Sequence, residues 1–225
     1  MSIKENLLKI KSELPAQVTL IAVSKTKPLE LIQEAYDAGQ RDFGENYAQE
    51  LAEKETLLPK DIRWHAIGHL QSNKVKYITP FVHLIHGVDS FKLLLEIDKQ
   101  AWKNKRTIDC LLQIYIAQEE TKFGFDFEEC EAMLHSEELK KLKNIRIVGF
   151  MGMASNTGNN NQIKQEFNSL KQFFEKFKFP VFETLNCKIE TLSIGMSSDY
   201  KIAIEEGSTM VRIGSSIFGD RNYSK

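Results

Sequence analysis

The sequence predicts an α/β protein whose parallel strands close into a single (β/α)8 barrel, a TIM barrel. Three observations carry that expectation. Short β-branched apolar runs give way repeatedly to longer amphipathic stretches, and eight such cycles can be counted. The cycle continues through all 225 residues without a composition break or a linker. A chain of this length lies at the lower end of the usual barrel size. Continuous apolar strands are what a sheet covered on both faces requires. An open doubly wound sheet is the alternative, but no G-x-G-x-x-G fingerprint supports it, since Gly149-Phe-Met-Gly152 and Gly214-Ser-Ser-Ile-Phe-Gly219 are spaced differently.

The elements follow in order. An opening amphipathic helix ends at Pro15, and Val18 to Val23 reads as the first buried strand. Pro28 to Ala38 reads as a helix with proline in its first turn and Gly39 as its stop. A strand near Arg41 to Phe43 leads to a helix from Tyr47 to Leu57, and Arg63 to Ile67 leads to a helix through Lys74 and Tyr77. Val82 to Val88 is the fourth strand, followed by a helix that Ser90 is placed to cap. Ile108 to Ile116 precedes a helix from Phe127 to His135, and Ile145 to Met151 precedes the helix Ile163 to Phe177. Thr191 to Ile194, the helix Asp199 to Glu206 and the last strand Val211 to Ile217 complete the set.

Composition narrows the function classes. With 30 Lys+Arg against 31 Asp+Glu and a formal charge of -1, the chain lacks the positive field that wholesale binding to nucleic acid or anionic membrane needs. The cysteines Cys110, Cys130 and Cys187 are odd in number and widely spaced, so neither a disulfide framework nor a thiolate zinc site is indicated. No signal peptide or long apolar span is visible, and the expected location is the cytoplasm. The Asn222-Tyr223-Ser224 sequon reads as an accident of composition.

Ligand sites in barrels lie at the C-terminal ends of the strands, so those residues belong together. The first strand ends in Ser24-Lys25-Thr26-Lys27. A lysine at the rim of a barrel core loses hydration, which frees a neutral amine for Schiff-base chemistry; a lysine snorkelling to solvent is the plain alternative. The seventh and eighth strands end in Ser193-Ile-Gly-Met-Ser-Ser-Asp199 and Arg212-Ile-Gly214-Ser215-Ser216, small residues that supply N–H donors and hydroxyls to a phosphate, or simply turn chemistry. Arg212 shares a strand face with Gly214, and a guanidinium inside a barrel needs something polar against it, a carboxylate being the ordinary choice. His65 and His69 lack the glutamate of H-E-x-x-H, and His83 and His86 are an odd number apart, hence expected on opposite strand faces; no metal is expected.

Several longer motifs then occur in fixed order: Ala22-Val-Ser-Lys-Thr-Lys27, Phe43-Gly-Glu-Asn-Tyr-Ala-Gln-Glu50, Trp64-His-Ala-Ile-Gly-His-Leu-Gln-Ser-Asn-Lys74, Gly149-Phe-Met-Gly-Met153, Leu192-Ser-Ile-Gly-Met-Ser197 and Gly207-Ser-Thr-Met-Val-Arg-Ile-Gly-Ser-Ser-Ile-Phe-Gly219. Through them the chain resembles, over nearly its whole length, the pyridoxal phosphate homeostasis protein family, relatives of the N-terminal barrel of alanine racemase. It departs from the family pattern at Ala66, where a larger apolar residue is usual, and at Ser215, where threonine is common; serine keeps the hydroxyl.

The resemblance implies pyridoxal 5'-phosphate (PLP) as cofactor, held as a Schiff base on Lys25. Ser193 with Gly214 and Ser215 would hold the phosphate, Arg212 would face the pyridine nitrogen, and Asn46 and Met151 would line the ring. A permanently charged guanidinium disfavours the pyridinium form and so weakens the ring as an electron sink. The function implied is PLP homeostasis without catalytic turnover, with PLP-dependent apo-enzymes as transient partners. The alternative is an amino-acid racemase, which needs a second base opposite the lysine. In alanine racemase that base is a tyrosine of a C-terminal β-domain, which this sequence is expected to lack, as a monomer would; Tyr47, Tyr115, Tyr200 and His69 are possible substitutes. A phosphate-sugar barrel enzyme with an ordinary catalytic lysine is a third option. Lys74, Lys76 and Lys122 are expected to be solvated surface charges.

Overall fold

The computed structural model describes residues 2–118 and 123–219, so Lys122 and the Asn222 sequon lie outside the described residues. Eight parallel strands form the barrel: β1 Thr19–Val23, β2 Asp42–Glu45, β3 Arg63–Ala66, β4 Leu84–Val88, β5 Ile108–Gln113, β6 Ile145–Met151, β8 Cys187–Met196 and β9 Met210–Ile213. Each pairs in parallel with the next, β1 pairs with β9, and the β6–β8 pairing closes the ring. A two-residue strand, β7 Glu183–Thr184, joins β8 antiparallel outside that ring. Closure brings two backbones into tight contact: a Cβ added at Gly149 on β6 would lie 1.8 Å from the Thr191 carbonyl oxygen on β8.

The helices are α1 Ile3–Glu13, α2 Leu29–Asp37, α3 Ala48–Leu57, α4 Val75–Ile78, α5 Phe91–Lys103, α6 Phe127–Leu134, α7 Glu137–Lys140, α8 Asn160–Phe177, α9 Tyr200–Glu205 and α10 Ser215–Phe218. Ser90 caps α5 by accepting from the Leu93 N–H, and Ser2 with Glu5 forms a capping box on α1. Among the described residues no helix is long and apolar enough to cross a membrane.

Strand alternation sorts the core into two parts. Outward residues such as Phe43, Trp64, Ile85, Phe150 and Val211 pack against the helix ring, where α8 contributes Phe167, Leu170, Phe174 and Phe177. Inward residues Ile21, Leu84, Leu111, Met151 and Met210 form a smaller cluster inside the barrel. Polar side chains are buried inside the barrel as well: Asp42, His65, His86, Ser193 and Arg212.

Several strand ends differ from the pattern in the sequence: the fourth strand begins at Leu84 rather than Val82, and the fifth ends at Gln113 rather than Ile116. The last strand stops at Ile213, because Gly214 turns the chain into α10. The seventh barrel strand is ten residues long rather than four, its early part held by β7 and β6. His83 precedes the first residue of β4, so strand alternation does not apply to it. Both its ring and that of His86 lie 5.3 Å from the ring of His65, which corrects the expectation of opposite faces.

Candidate functional site

The C-terminal ends of the strands surround a cavity of about 580 Å³, within the ordinary size of a small-molecule site. Val23 and Lys25 reach it from β1, Asn46 from β2, Ile67 and His69 from β3, Gln113 from β5, Met196, Ser197 and Ser198 from β8, and Arg212, Gly214, Ser215 and Ser216 from β9. Lys25 lies two residues beyond the end of β1, in the turn that follows it, and lines the cavity.

The turn that carries Lys25 is strained and braced. Thr26 has φ +62°, a left-handed conformation unusual for a β-branched residue. Its N–H donates to Glu50 Oε1 at 2.6 Å. On the other side of Lys25, the Ser24 hydroxyl donates to Glu45 Oε1 at 2.6 Å, and the Ser24 carbonyl accepts from Lys54 Nζ at 2.8 Å. Lys54 Nζ also meets Glu45 Oε1 at 2.8 Å and Glu50 Oε1 at 2.7 Å, so one ammonium ties together both neighbours of Lys25. Burial pushes the Glu45 carboxyl up to about 7 despite the nearby Lys54, and its Oε2 is buried without a hydrogen bond.

At the opposite rim, Gly195 has φ +96° and a Cβ there would lie 2.6 Å from the Ala203 Cβ, so the turn that presents Met196 to Ser198 requires glycine. Asp199 secures that turn by accepting from the Met196 N–H rather than by capping α9. Ser197 Oγ accepts from the Gly214 N–H at 3.2 Å, which joins the β8 and β9 motifs into one hydroxyl-rich edge.

Arg212 lies at the cavity floor. Among the described residues no carboxylate hydrogen-bonds to it; its guanidinium donates to Ser193 Oγ, the Ser193 carbonyl and the Gly152 carbonyl at 2.6, 2.7 and 3.0 Å. Burial brings its pKa down to about 10, partly opposed by the charge of Asp199. It stays cationic at neutral pH.

The cavity thus gathers Lys25, Asn46, Arg212, Gly214 and Ser215, but not Ser193 or Met151. Ser193 is fully buried beneath the floor with its hydroxyl engaged by Arg212, and Met151 belongs to the inner apolar cluster. Ser197, Ser198, Ser216 and Met153 line the cavity in addition. Their signal was present in the motifs, but the irregular register between β8 and β9 from Ser193 to Met196 decides which serine reaches the rim. His69 also lines the cavity, its Nδ1 2.8 Å from Asp89 Oδ2. Of the proposed tyrosines, the Tyr200 hydroxyl is occupied by Glu13, and neither Tyr47 nor Tyr115 lines the cavity. The three cysteines are buried and unpaired, and among the described residues no group of three or more His, Cys, Asp or Glu side chains could hold a metal.

Comparison with known proteins bears on this site. Residues 1–222 match the family described as alanine racemase, N-terminal domain. A pyridoxal phosphate homeostasis protein of Aquifex aeolicus is 38% identical over 205 residues, covering 91% of this chain and 87% of the relative. Its counterpart in Escherichia coli is 37% identical over 215 residues, covering 94% and 89%. The chain belongs to the pyridoxal phosphate homeostasis protein family. The solved structure of PipY from Synechococcus elongatus without PLP superposes with a TM-score of 0.88 at 36% identity, covering 97% of this chain and 100% of that one. The same protein with PLP bound gives 0.85 at the same coverage. Alanine racemase of Clostridium difficile, at 15% identity and a TM-score of 0.74, shares the barrel fold over 57% of its own length.

Proposed function

We propose that this chain is a PLP carrier: it binds PLP in the cavity at the C-terminal mouth of the barrel, holds it on Lys25, and buffers or delivers it without turning over a substrate of its own. The observation that carries this reading is that Lys25, the buried cation Arg212 and the Ser197–Gly214–Ser215 edge all line one cavity, in a family named for PLP homeostasis. The fit to the cofactor follows from the donor set. Hydroxyls and N–H groups of Ser197, Ser198 and Gly214 to Ser216 suit a phosphate, and Asn46 and Ile67 offer a mixed polar and apolar lining for a ring. The bound group supplies an aldehyde, with which a lysine amine condenses to an imine as water leaves. Arg212, charged at neutral pH, opposes a second positive charge on the pyridine nitrogen and keeps the cofactor electronically quiet.

We read the chain as one barrel domain, a cytoplasmic monomer in keeping with its unpaired thiols, which meets apo-enzymes only transiently. A racemase is the second reading, favoured by one observation: His69 lines the cavity and is oriented through Nδ1 by Asp89, as a base would be. The test is a visible spectrum. Protein incubated with PLP and desalted is expected to be yellow, to lose that band on borohydride reduction, and to lose the covalent adduct in Lys25→Ala; a protein that stays colourless overturns both readings. Incubation with single enantiomers of several amino acids separates them. Turnover far above the protein concentration supports the racemase, and transfer of PLP to an apo-enzyme without turnover supports the carrier.

A further inference from the structure

A line of hydrogen bonds runs inside the barrel from the cavity floor to the opposite mouth. Arg212 Nη1 is 2.6 Å from Ser193 Oγ, which is 3.2 Å from His86 Nδ1. His86 Nε2 is 3.0 Å from His65 Nδ1, and His65 Nε2 is 3.1 Å from Asp42 Oδ1. Asp42 closes the line by accepting from Arg63 Nε and Nη2. The linked residues come from β9, β8, β4, β3 and β2, and Arg212, Ser193, His86 and His65 are each at most 4% exposed.

The two ends fix the direction of every bond. A guanidinium has donors only, so Ser193 Oγ accepts from Arg212 and its single proton goes to His86 Nδ1. His86 must then carry its own proton on Nε2 and donate to His65 Nδ1. His65 in turn carries its proton on Nε2 and donates to the Asp42 carboxylate. Both rings are neutral in this arrangement, and burial, joined at His86 by the charge of Arg212, depresses the proton affinity of each. Protonating either ring at Nδ1 would remove an acceptor and break the line. Other titratable or charged groups stand at both ends: His83, whose ring lies 5.3 Å from that of His65, with Arg63, Asp109, Arg146, Lys188 and Glu190 around the Asp42 mouth, and Asp199, whose charge acts on Arg212.

We propose that His86 and His65 are positioning residues for Arg212: by drawing the Ser193 proton toward Asp42 they leave the Ser193 lone pair to the guanidinium and hold it in one orientation at the cavity floor. Three acceptors then hold the guanidinium: the Ser193 hydroxyl, the Ser193 carbonyl and the Gly152 carbonyl. Only the hydroxyl can turn its lone pair away, and it does so when His86 ceases to accept its proton. The consequence for PLP rests on the function proposed above, whereas the consequence for Arg212 does not.

The test compares wild type, His86→Leu and His86→Gln by two measurements. The first is NMR of the Arg212 guanidinium and of the histidine rings without cofactor; the second is PLP retention followed by absorbance. Wild type is expected to show both rings as Nε2–H tautomers and separately resolved, slowly rotating Nη protons on Arg212. His86→Leu is expected to average those protons and to weaken PLP retention about tenfold, the scale of one lost hydrogen bond to a charged group. His86→Gln should restore both, since its amide oxygen can accept from Ser193 while its nitrogen donates to His65. An Nδ1–H tautomer at His86, an unchanged guanidinium in His86→Leu, or indistinguishable Leu and Gln variants would overturn the proposal. Should His86→Leu not fold, Ser193→Ala removes the acceptor directly, and an unchanged guanidinium there is equally fatal. A wild type that retains no PLP sinks the carrier reading, while the guanidinium signals still decide the relay.

Discussion

Replacing Lys54 with methionine should expose how much the brace behind Lys25 costs to maintain. Lys54 and Glu45 are nearly solvent-free, with side-chain exposures of 7% and 0%, and their contact is 2.8 Å. Methionine preserves the stem but leaves the Glu45 carboxylate with one hydrogen bond, from Ser24, and no countercharge. Breaking a buried pair from one side costs about 3–5 kcal/mol. In a chain of this size that is a fall in Tm of roughly 6–20 °C.

The pH dependence identifies the cause. Glu45 has a carboxyl pushed up to about 7, above the 4.5 it takes in the unfolded chain. A raised acid contributes stability that is fully present below about pH 4.5 and lost as pH rises through about 7, here on the order of 3 kcal/mol at about 1.4 kcal/mol per pH unit. Without Lys54 the carboxyl rises further, so the deficit of Lys54→Met should be greater at pH 8 than at pH 5, where Glu45 is neutral, by up to about 1.4 kcal/mol for the one pH unit between 7 and 8. Urea unfolding of the cofactor-free protein at both pH values measures this. A second substitution, Glu45→Gln, should recover the pH-dependent part of the loss in a double-mutant cycle. A deficit that does not change between pH 5 and 8, or additive single mutants, would refute the reasoning.

Two further outcomes follow from the same geometry. Ser197→Ala, at the edge that joins the β8 and β9 motifs, should weaken binding of PLP about tenfold while leaving binding of pyridoxal, which lacks the phosphate, unchanged; equilibrium titration of both compounds decides whether this edge holds the phosphate. At the opposite mouth, burial would raise the Asp42 carboxyl, but hydrogen bonds from His65 and Arg63 and the charge of Arg63 hold it well below the usual carboxylate range. Its contribution is therefore present above about pH 4 and lost as pH falls further, so Asp42→Asn should cost about 1.5–3 kcal/mol at pH 7 and less toward pH 3 in unfolding titrations.

The sequence by itself determined the barrel. Eight apolar runs separated by amphipathic stretches have few other ways to be covered on both faces; the place of Lys25 just after the first run, and the shared strand face of Arg212 and Gly214, put all three at one rim. Parity states which side of a strand a residue faces, but not how far along the barrel axis it sits or what stands opposite. Those depend on the register between strands that are remote in sequence, and here the register slips between Ser193 and Met196 on β8. Only the tertiary structure therefore decided that Ser197 reaches the cavity edge while Ser193 lies below it under Arg212, and that Met153 rather than Met151 lines the wall. The same holds for the line from Arg212 to Asp42, whose members span 170 residues of sequence and meet only because the sheet closes on itself. The brace of Lys54 on Glu45 was equally hidden, since it forms between α3 and β2, whereas the Lys54–Glu50 pair is an i,i+4 contact within α3.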